Sequence, residues 1–479
     1  MILKIFPEPK DLTLTREGDA KFPLLVKTSC EEWESTIDVF TSAFLKIHGA
    51  ALKKGDGGIL LSFSPDVRSD GYKIEVDDTI RILASTREGI LYGLATVLQL
   101  VTVKDGMICS PVVQICDYPD KDFRGLMLDL VSKYHTSKTL FQYVDLCFFY
   151  KVKYLHLHVM DNRAYRLPSK AFPLLSAAQP GYSKEELAQL NAYAEARGVT
   201  LIPELEIPGH ATMLTRIYPE IFKNRLEGNT ALLTTENGDV LDPDSIICAG
   251  SQIATDALRT MLDEICELFP HTPYIHIGGD EADSAVWDFC PVCKSYIKEH
   301  GLKDSNDLYV EFTARIAQMV LDKGRTPIVW EGFPKESIPR IPRETIVIAW
   351  ESHYHQAQDL LDEGFRIINA SWQPLYIVPS LVRRWYAKDI LQWDVYNLQH
   401  WWEGSAACYN PIHLPPTDRL LGAQICSWGC SFAQEAGLVL ENLAALSERC
   451  WNVQRRSDLT QMLENMEPLL NAASRLINE

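Results

Sequence analysis

The chain is poor in cysteine, with 12 in 479 residues and those scattered along its length. That is too thin for a disulfide-framed scaffold. It has no apolar run of about eighteen residues, so no membrane-spanning helix is expected. Positive charge is also short: 46 Lys and Arg face 64 Asp and Glu, a net charge of −18. Such a surface repels phosphate backbones and anionic lipid, which argues against nucleic acid or a membrane as the main partner. The opening residues lack a basic stretch followed by an apolar one, so no secretion signal is read there and the expected address is the cytoplasm, with reduced thiols. What remains is ordinary globular material, 46% hydrophobic and 23% charged, long enough for at least two domains.

One cysteine pair has metal-ligand spacing, Cys290-Pro-Val-Cys293. A closed zinc site needs four ligands and no second CxxC occurs, so the pair reads as structural thiols and no metal is expected.

Residues 1–118 read as a small α+β domain. Positions 71–77 and 79–84 alternate apolar and polar like two half-buried strands around an Asp-Asp turn. From 86 to 100 the period turns helical, with Ile90, Leu91, Leu94, Val97 and Leu98 on one face. Over 119–455, apolar runs alternate with amphipathic helical segments. The candidate strands are 123–130, 154–161, 199–206, 274–281, 326–332, 346–352, 366–371 and 420–428. Continuous apolar runs suit parallel strands covered on both faces. Eight strands with intervening helices is the count of a (β/α)8 barrel. A doubly wound open sheet is the competitor, but its glycine-rich phosphate turn is missing. Residues 456–479 read as a terminal helix packing on the barrel.

A barrel carries its chemistry at the C-terminal ends of its strands. The unusual residues fall there: Asp161, Glu204, Glu206, Asp280, Glu281, Trp330, Glu331, Trp350, Glu351 and Trp428. A long loop after the seventh strand adds Trp385, Trp393, Trp401 and Trp402. Acids and indoles at one barrel mouth describe a carbohydrate site, since carboxylates act on the glycosidic oxygen and sugar faces stack on aromatic rings. In His276-Ile-Gly-Gly-Asp280-Glu281 two glycines clear space before adjacent carboxylates, whose repulsion tends to raise one pKa toward that of a general acid. The plainer alternative for that pair is a helix N-cap.

Taken together, the ordered motifs resemble glycoside hydrolase family 20, the β-N-acetylhexosaminidases. They are Arg124-Gly-Leu-Met-Leu-Asp129, His156-x-His-x-x-Asp161, Arg166-Leu-x-Ser-Lys-x-Phe-Pro173, Pro203-Glu-x-Glu-x-Pro-Gly-His210, His276-x-Gly-Gly-Asp-Glu281 and the late Trp428. The resemblance implies exo-acting, retaining hydrolysis of terminal β-linked GlcNAc or GalNAc, with the sugar's 2-acetamido oxygen as nucleophile and no cofactor. On the matching positions Glu281 becomes the acid/base and Asp280 the group that orients the acetamido N–H. Tyr376 becomes the donor to the acetamido oxygen, its alternative being a core tyrosine. Trp330, Trp350 and Trp428 become the walls of the methyl pocket. Asp161, His210, Arg124 and Lys133 are expected to contact substrate.

The departures from the family concern the sugar's far edge. Ser132-Lys-Tyr-His135 stands where Ser-Arg-His is usual, so a bidentate fork gives way to the Lys133 point charge. Cys430 and Val378 stand where the family usually offers a carboxylate or amide to the 4- and 6-hydroxyls. Within enzymes the alternatives are a narrow β-N-acetylgalactosaminidase and a hydrolase for 6-substituted GlcNAc, using the aromatic loop or Arg383-Arg384. The rival from another class is an inactive glycan-binding barrel.

Overall fold

A computed structural model describes residues 4–226, 233–234, 240–335, 340–379 and 383–477. The N-terminal part is one mixed sheet with two helices. Its strands, in spatial order, are Asp11–Pro23, Met107–Asp117, Tyr72–Val76, Ile80–Ala84, Ile59–Phe63, Leu25–Thr28 and Lys53–Lys54, with Thr102–Lys104 pairing the start of Met107–Asp117 off that path. The expected hairpin is there, Lys73 pairing Leu83 and Val76 pairing Ile80. The helix Arg87–Leu100 starts where Thr86 accepts the Gly89 N–H, and is buried on nearly every side. It packs on this sheet and on the helix Ser137–Phe149 of the barrel. A helix apolar all round is a helix covered on both faces.

Eight parallel strands then close a barrel: β1 (Phe123–Asp129), β2 (Tyr154–His158), β3 (Thr200–Ile207), β4 (Tyr274–Gly278), β5 (Thr326–Trp330), β6 (Ile346–Ala349), β7 (Arg366–Asn369) and β8 (Leu420–Ser427). Each pairs with its neighbour, and β8 pairs with both β7 and β1. The intervening helices follow their sequence punctuation. Ser183 and Glu186 form a reciprocal capping box before Lys184–Ala196, which ends short of Gly198 in the left-handed region.

The period of two within strands decides what fills the barrel. Phe123, Met127, Tyr154, Ile202, Ile328, Ile346, Ile348 and Ile368 form an apolar interior cluster. In β2, β3 and β4 the inward positions turn polar toward the C-terminal end: His156 and His158, Glu204 and Glu206, His276. Register places His158 opposite Glu204 and Glu204 opposite His276. A row of buried titratable side chains therefore lies under the barrel mouth.

Arg124 corrects an expectation. It sits at the start of β1, far from the C-terminal ends, and is 0% exposed. Its guanidinium donates to the carbonyls of Lys151, Lys121 and Asp122 and to the Tyr92 hydroxyl of the N-terminal sheet's helix. Nearby, Lys151 Nζ lies 3.4 Å from Asp117 Oδ2, and the Trp451 indole donates to Asp117 Oδ1 at 2.9 Å. These groups join the two domains, and Arg124 is not among the residues that line the cavity at the barrel mouth. The terminal helix Leu459–Ile477 packs on Ser137–Phe149 and also on the N-terminal domain's helix Glu34–His48, with Asn465 donating to Glu8 at 2.8 Å.

Candidate active site

The C-terminal ends of the strands surround a cavity of about 270 Å³, lined by His158, Asp161, Glu206, His210, Asp280, Glu281, Trp330, Trp350, Trp372, Tyr376, Val378 and Trp428. That is near the small end for ligand sites. Eight of the ten residues expected to carry the chemistry converge here. Lys133 does not: it is exposed on the loop after β1 and absent from the lining, and only its carbonyl is engaged, by His135 Nδ1 at 2.9 Å. The reason is local. His135 is buried against Glu435 at 2.6 Å, which turns this loop outward.

The catalytic segment is held by glycines. Gly278 has φ +69°, and a Cβ there would come within 2.0 Å of Glu206 Oε1. On the other side, a Cβ on Gly332 would meet Asp280 Cα at 2.4 Å. Glu281 itself has φ +47° and His210 has φ +47°. A left-handed backbone is uncommon and costly for such residues, and it persists where surrounding packing dictates it. The Gly279 N–H donates to Glu206 Oε1 at 3.2 Å.

Under the cavity floor, Glu204 accepts from the Trp330 indole at 2.7 Å and is bonded to His158 Nδ1, and its Oε1 lies 3.0 Å from His276 Nδ1, which accepts the Gly278 N–H. Burial alone would raise the Glu204 pKa, but the protonated His158 beside it outweighs that and holds it well below the usual range. Burial works against protonated His158, yet Glu204 and Asp161 keep its pKa well above the ordinary value. His276 goes the other way, lowered by burial to about 4. Glu206, buried between Asp280 and Glu204, is pushed well up and holds its proton. Asp280 is raised to about 6, by burial first and by Glu281 and Glu204, with His210 opposing. His210 is raised to about 9: burial would lower it, and Glu281, Asp280 and Asp161 overcome that.

His210 bridges the mouth. Its Nε2 lies 3.4 Å from Glu281 Oε2 and 3.8 Å from Asp280 Oδ2, and its Nδ1 lies 3.7 Å from Asp161 Oδ1. Asp280 shares a hydrogen bond with the protonated Glu206, and its Oδ1 is fully buried while the side chain lines the cavity. Glu281 is half-exposed at the cavity mouth.

The aromatic wall differs from expectation in one respect. Tyr376 is sandwiched between Trp372, at 4.4 Å and 18°, and Trp350, at 6.3 Å and 17°. Trp372 therefore supplies the wall that the long loop was expected to give. Trp385 and Trp401 pack edge-on against Trp372, Trp402 lies against His353, and Trp393 is buried with its N–H on Asn397. None of these four lines the cavity. Glu331 is also an anchor: buried, it accepts the backbone N–H groups of Ser352, His353 and His355 at 3.0, 3.0 and 3.1 Å, shaping the turn after Trp350. Beside it Glu351 is raised to about 8, by burial and then by the Glu281, Glu331 and Asp280 charges.

Among the described residues, four groups have donors close enough to share an ion: His156, Glu204 and His276; His158, Glu204 and Glu206; His210, Asp280 and Glu281; and Cys248, Cys290 and Cys293. In the first two, Glu204 is already committed to Trp330 and His158. The third faces the cavity. The fourth includes Cys248, which sequence reasoning missed because it stands 42 residues before Cys290.

With this geometry in hand, comparison with known proteins is decisive for the family. Residues 122–454 match the model of the glycosyl hydrolase family 20 catalytic domain, and residues 3–118 match the domain 2 model of the same family. The chain belongs to glycosyl hydrolase family 20. A β-hexosaminidase of Akkermansia muciniphila is 31% identical over 336 residues, which cover 65% of this chain and 65% of that protein. One of Vibrio furnissii is 27% identical over 400 residues, covering 78% and 63%. The chain thus spans less than two thirds of the length of these relatives. Among solved structures, a family 20 exo β-N-acetylglucosaminidase of Vibrio harveyi, in complex with N-acetylglucosamine, superposes with a TM-score of 0.83 at 21% identity, covering 98% of this chain and 78% of that one. A β-N-acetylhexosaminidase of Bacteroides fragilis gives 0.78 at 24% identity, covering 97% and 94%. These likenesses establish the barrel with its preceding small domain as the family fold.

Proposed function

We propose that this family 20 protein is an exo-acting, retaining β-N-acetylhexosaminidase that removes terminal β-linked GlcNAc or GalNAc through the sugar's own 2-acetamido group. The observation that carries the reading is the Asp280 carboxylate on the lining of an indole-walled cavity, next to Glu281 and with His210 Nε2 3.8 Å from its Oδ2. An acetamido N–H entering that cavity meets this acceptor.

In this reading Glu281 donates its proton to the glycosidic oxygen as the C1–O bond breaks. The acetamido oxygen attacks C1 from the opposite face and forms an oxazolinium ring. Asp280 accepts the N–H and faces the positive charge growing on that ring. The Tyr376 hydroxyl donates to the acetamido oxygen and aims it. Trp330, Trp350 and Trp428 enclose the methyl, excluding water from the first step. Glu281, now a carboxylate, takes a proton from water, whose oxygen attacks C1 and reopens the ring. His210, cationic at neutral pH, holds both carboxylates in place.

The sugar's far edge is read differently from the family pattern. Cys430 is 1% exposed and its thiol is turned to the Trp428 and Ile377 carbonyls, away from the cavity, while Val378 lines it. The cytoplasmic address is part of the proposal and is supported by the twelve unpaired thiols; no helix among the described residues is long and apolar enough to cross a membrane.

Assay of Glu281→Gln on an aryl glycoside with a good leaving group and on an unactivated disaccharide tests the reading. Loss of several orders of magnitude on the disaccharide, with a smaller loss on the aryl glycoside, is expected. Full retention of disaccharide hydrolysis would place the acid elsewhere. No turnover of either substrate by the unmodified protein, with binding retained, would support the glycan-binding alternative.

A further inference from the structure

Behind the catalytic loops, three thiols from two distant stretches of chain meet in the core. Cys248 Sγ lies 3.7 Å from Cys290 Sγ and 3.6 Å from Cys293 Sγ, and all three residues are at most 2% exposed. We propose that Cys248, Cys290 and Cys293 bind one zinc ion as a structural clamp.

The distances argue for a shared ion. A tetrahedral zinc with arms of about 2.3 Å to sulfur has ligand–ligand edges of about 3.8 Å, close to those here. A disulfide needs sulfurs about 2.0 Å apart and joins only two of them. Cys248 is as near to one partner as to the other, so any disulfide would leave a buried thiol over, whereas a borderline-soft divalent cation engages all three. Asn224 Oδ1 stands 3.9 Å from Cys293 Sγ, on a buried side chain fixed by its amide to the Ile246 carbonyl. It supplies the fourth corner directly or through water.

The surroundings are those of a ligand shell. The backbone N–H groups of Cys293 and Arg225 point to the Cys290 sulfur, and that of Ser251 to the Cys248 sulfur. Such N–H···S contacts fix thiolates and offset their charge. Cys290 and Cys293 open the helix Pro291–Glu299, whose N-terminus favours negative charge. Gly250 lets the two chains meet: a Cβ there would lie 2.9 Å from Cys293 Cα.

The position gives the clamp a purpose. Cys248 closes the long loop that starts with His210, its neighbour Ile247 donating to the Pro208 carbonyl at 3.1 Å. Cys290 ends the segment that starts with Asp280 and Glu281. The Trp287 indole donates to Ile247 at 2.9 Å between them. One ion there fixes the loop of the histidine to the loop of the carboxylates. The inference rests on the thiols alone and stands whatever glycoside the site takes.

Elemental analysis and native mass spectrometry of the full chain, purified without added metal or chelator, test it. The expected result is about one zinc per chain, released in step with titration of three thiols by a mercurial reagent. Cys248→Ser and Cys290→Ser should carry below about a tenth of a zinc, while Cys266→Ser, outside the cluster, keeps it. Should the cluster variants fail to fold, the unmodified protein still decides: a strong chelator should lower its Tm and added Zn²⁺ should restore it. Zinc-free protein whose Tm does not respond to Zn²⁺ overturns the proposal, as does a disulfide between any two of the three in the native protein.

Discussion

His210 Nε2 lies 3.4 Å from Glu281 Oε2, and the same nitrogen is 3.8 Å from Asp280 Oδ2. One cation thus holds both carboxylates, which gives the pH profile a definite sign. Asp280, raised to about 6, must be ionised to accept the acetamido N–H, so kcat/KM should fall as pH drops through about 6. The His210 charge opposes that rise and persists to about pH 9. In His210→Asn the opposing charge is gone, and the acid limb should move to higher pH as kcat/KM falls. A pH–rate profile of the two proteins checks this; an acid limb that stays in place contradicts it.

Tyr376 offers a second test. Its ring is held by Trp372 and Trp350, so Tyr376→Phe keeps the packing and removes only the hydroxyl. If that hydroxyl aims the acetamido oxygen, kcat should fall by about 10²-fold or more with KM changed little, the pattern of an interaction made in the transition state. A change confined to KM would make the tyrosine a wall only.

Specificity at C4 follows from Cys430 and Val378. Neither accepts a charge-assisted hydrogen bond from a 4-hydroxyl, and a site without such an acceptor rejects the epimer weakly. Aryl GlcNAc and GalNAc glycosides should therefore differ by less than about tenfold in kcat/KM, with GalNAc equal or preferred. A GlcNAc preference above about a hundredfold, roughly 2.7 kcal/mol, contradicts this.

Arg124 predicts a separation of stability from catalysis. Arg124→Met leaves three carbonyls and the Tyr92 hydroxyl without their donor, which should cost roughly 3–5 kcal/mol of stability. Denaturant unfolding measures the loss, and kcat of the folded protein should stay near normal. A collapse of kcat with unchanged stability would return Arg124 to the substrate.

The barrel was legible because its strands are short apolar runs and its helices carry caps and stripes, as at Ser183 and Gly198. The acids were legible because Asp280 and Glu281 follow two glycines at a strand end. Arg124 and Lys133 misled for opposite reasons. A motif arginine at the start of a barrel strand lies at the foot of the barrel, where it serves the domain junction. Lys133 follows β1 at the correct end, but the buried His135–Glu435 pair, 300 residues apart in the chain, turns its loop outward. Glu204 with His158 and His276 could be found from the alternation in β2, β3 and β4, once inward positions turn polar near the mouth. Trp372 was hidden by its own motif, in which Tyr376 drew the chemistry. Cys248 had no local signal, since only the fold brings it to Cys290 and Cys293.

The central claim is that the substrate supplies its own nucleophile, and one comparison tests it most directly. Aryl β-glycosides of GlcNAc and of glucose share a leaving group and differ at C2, acetamido in one and hydroxyl in the other. The account predicts ready hydrolysis of the first, almost none of the second, and tight inhibition by a thiazoline that mimics the cyclised intermediate. Comparable rates on both glycosides, with no inhibition by the thiazoline, would mean that a carboxylate of this chain attacks C1 and that Asp280 has another role.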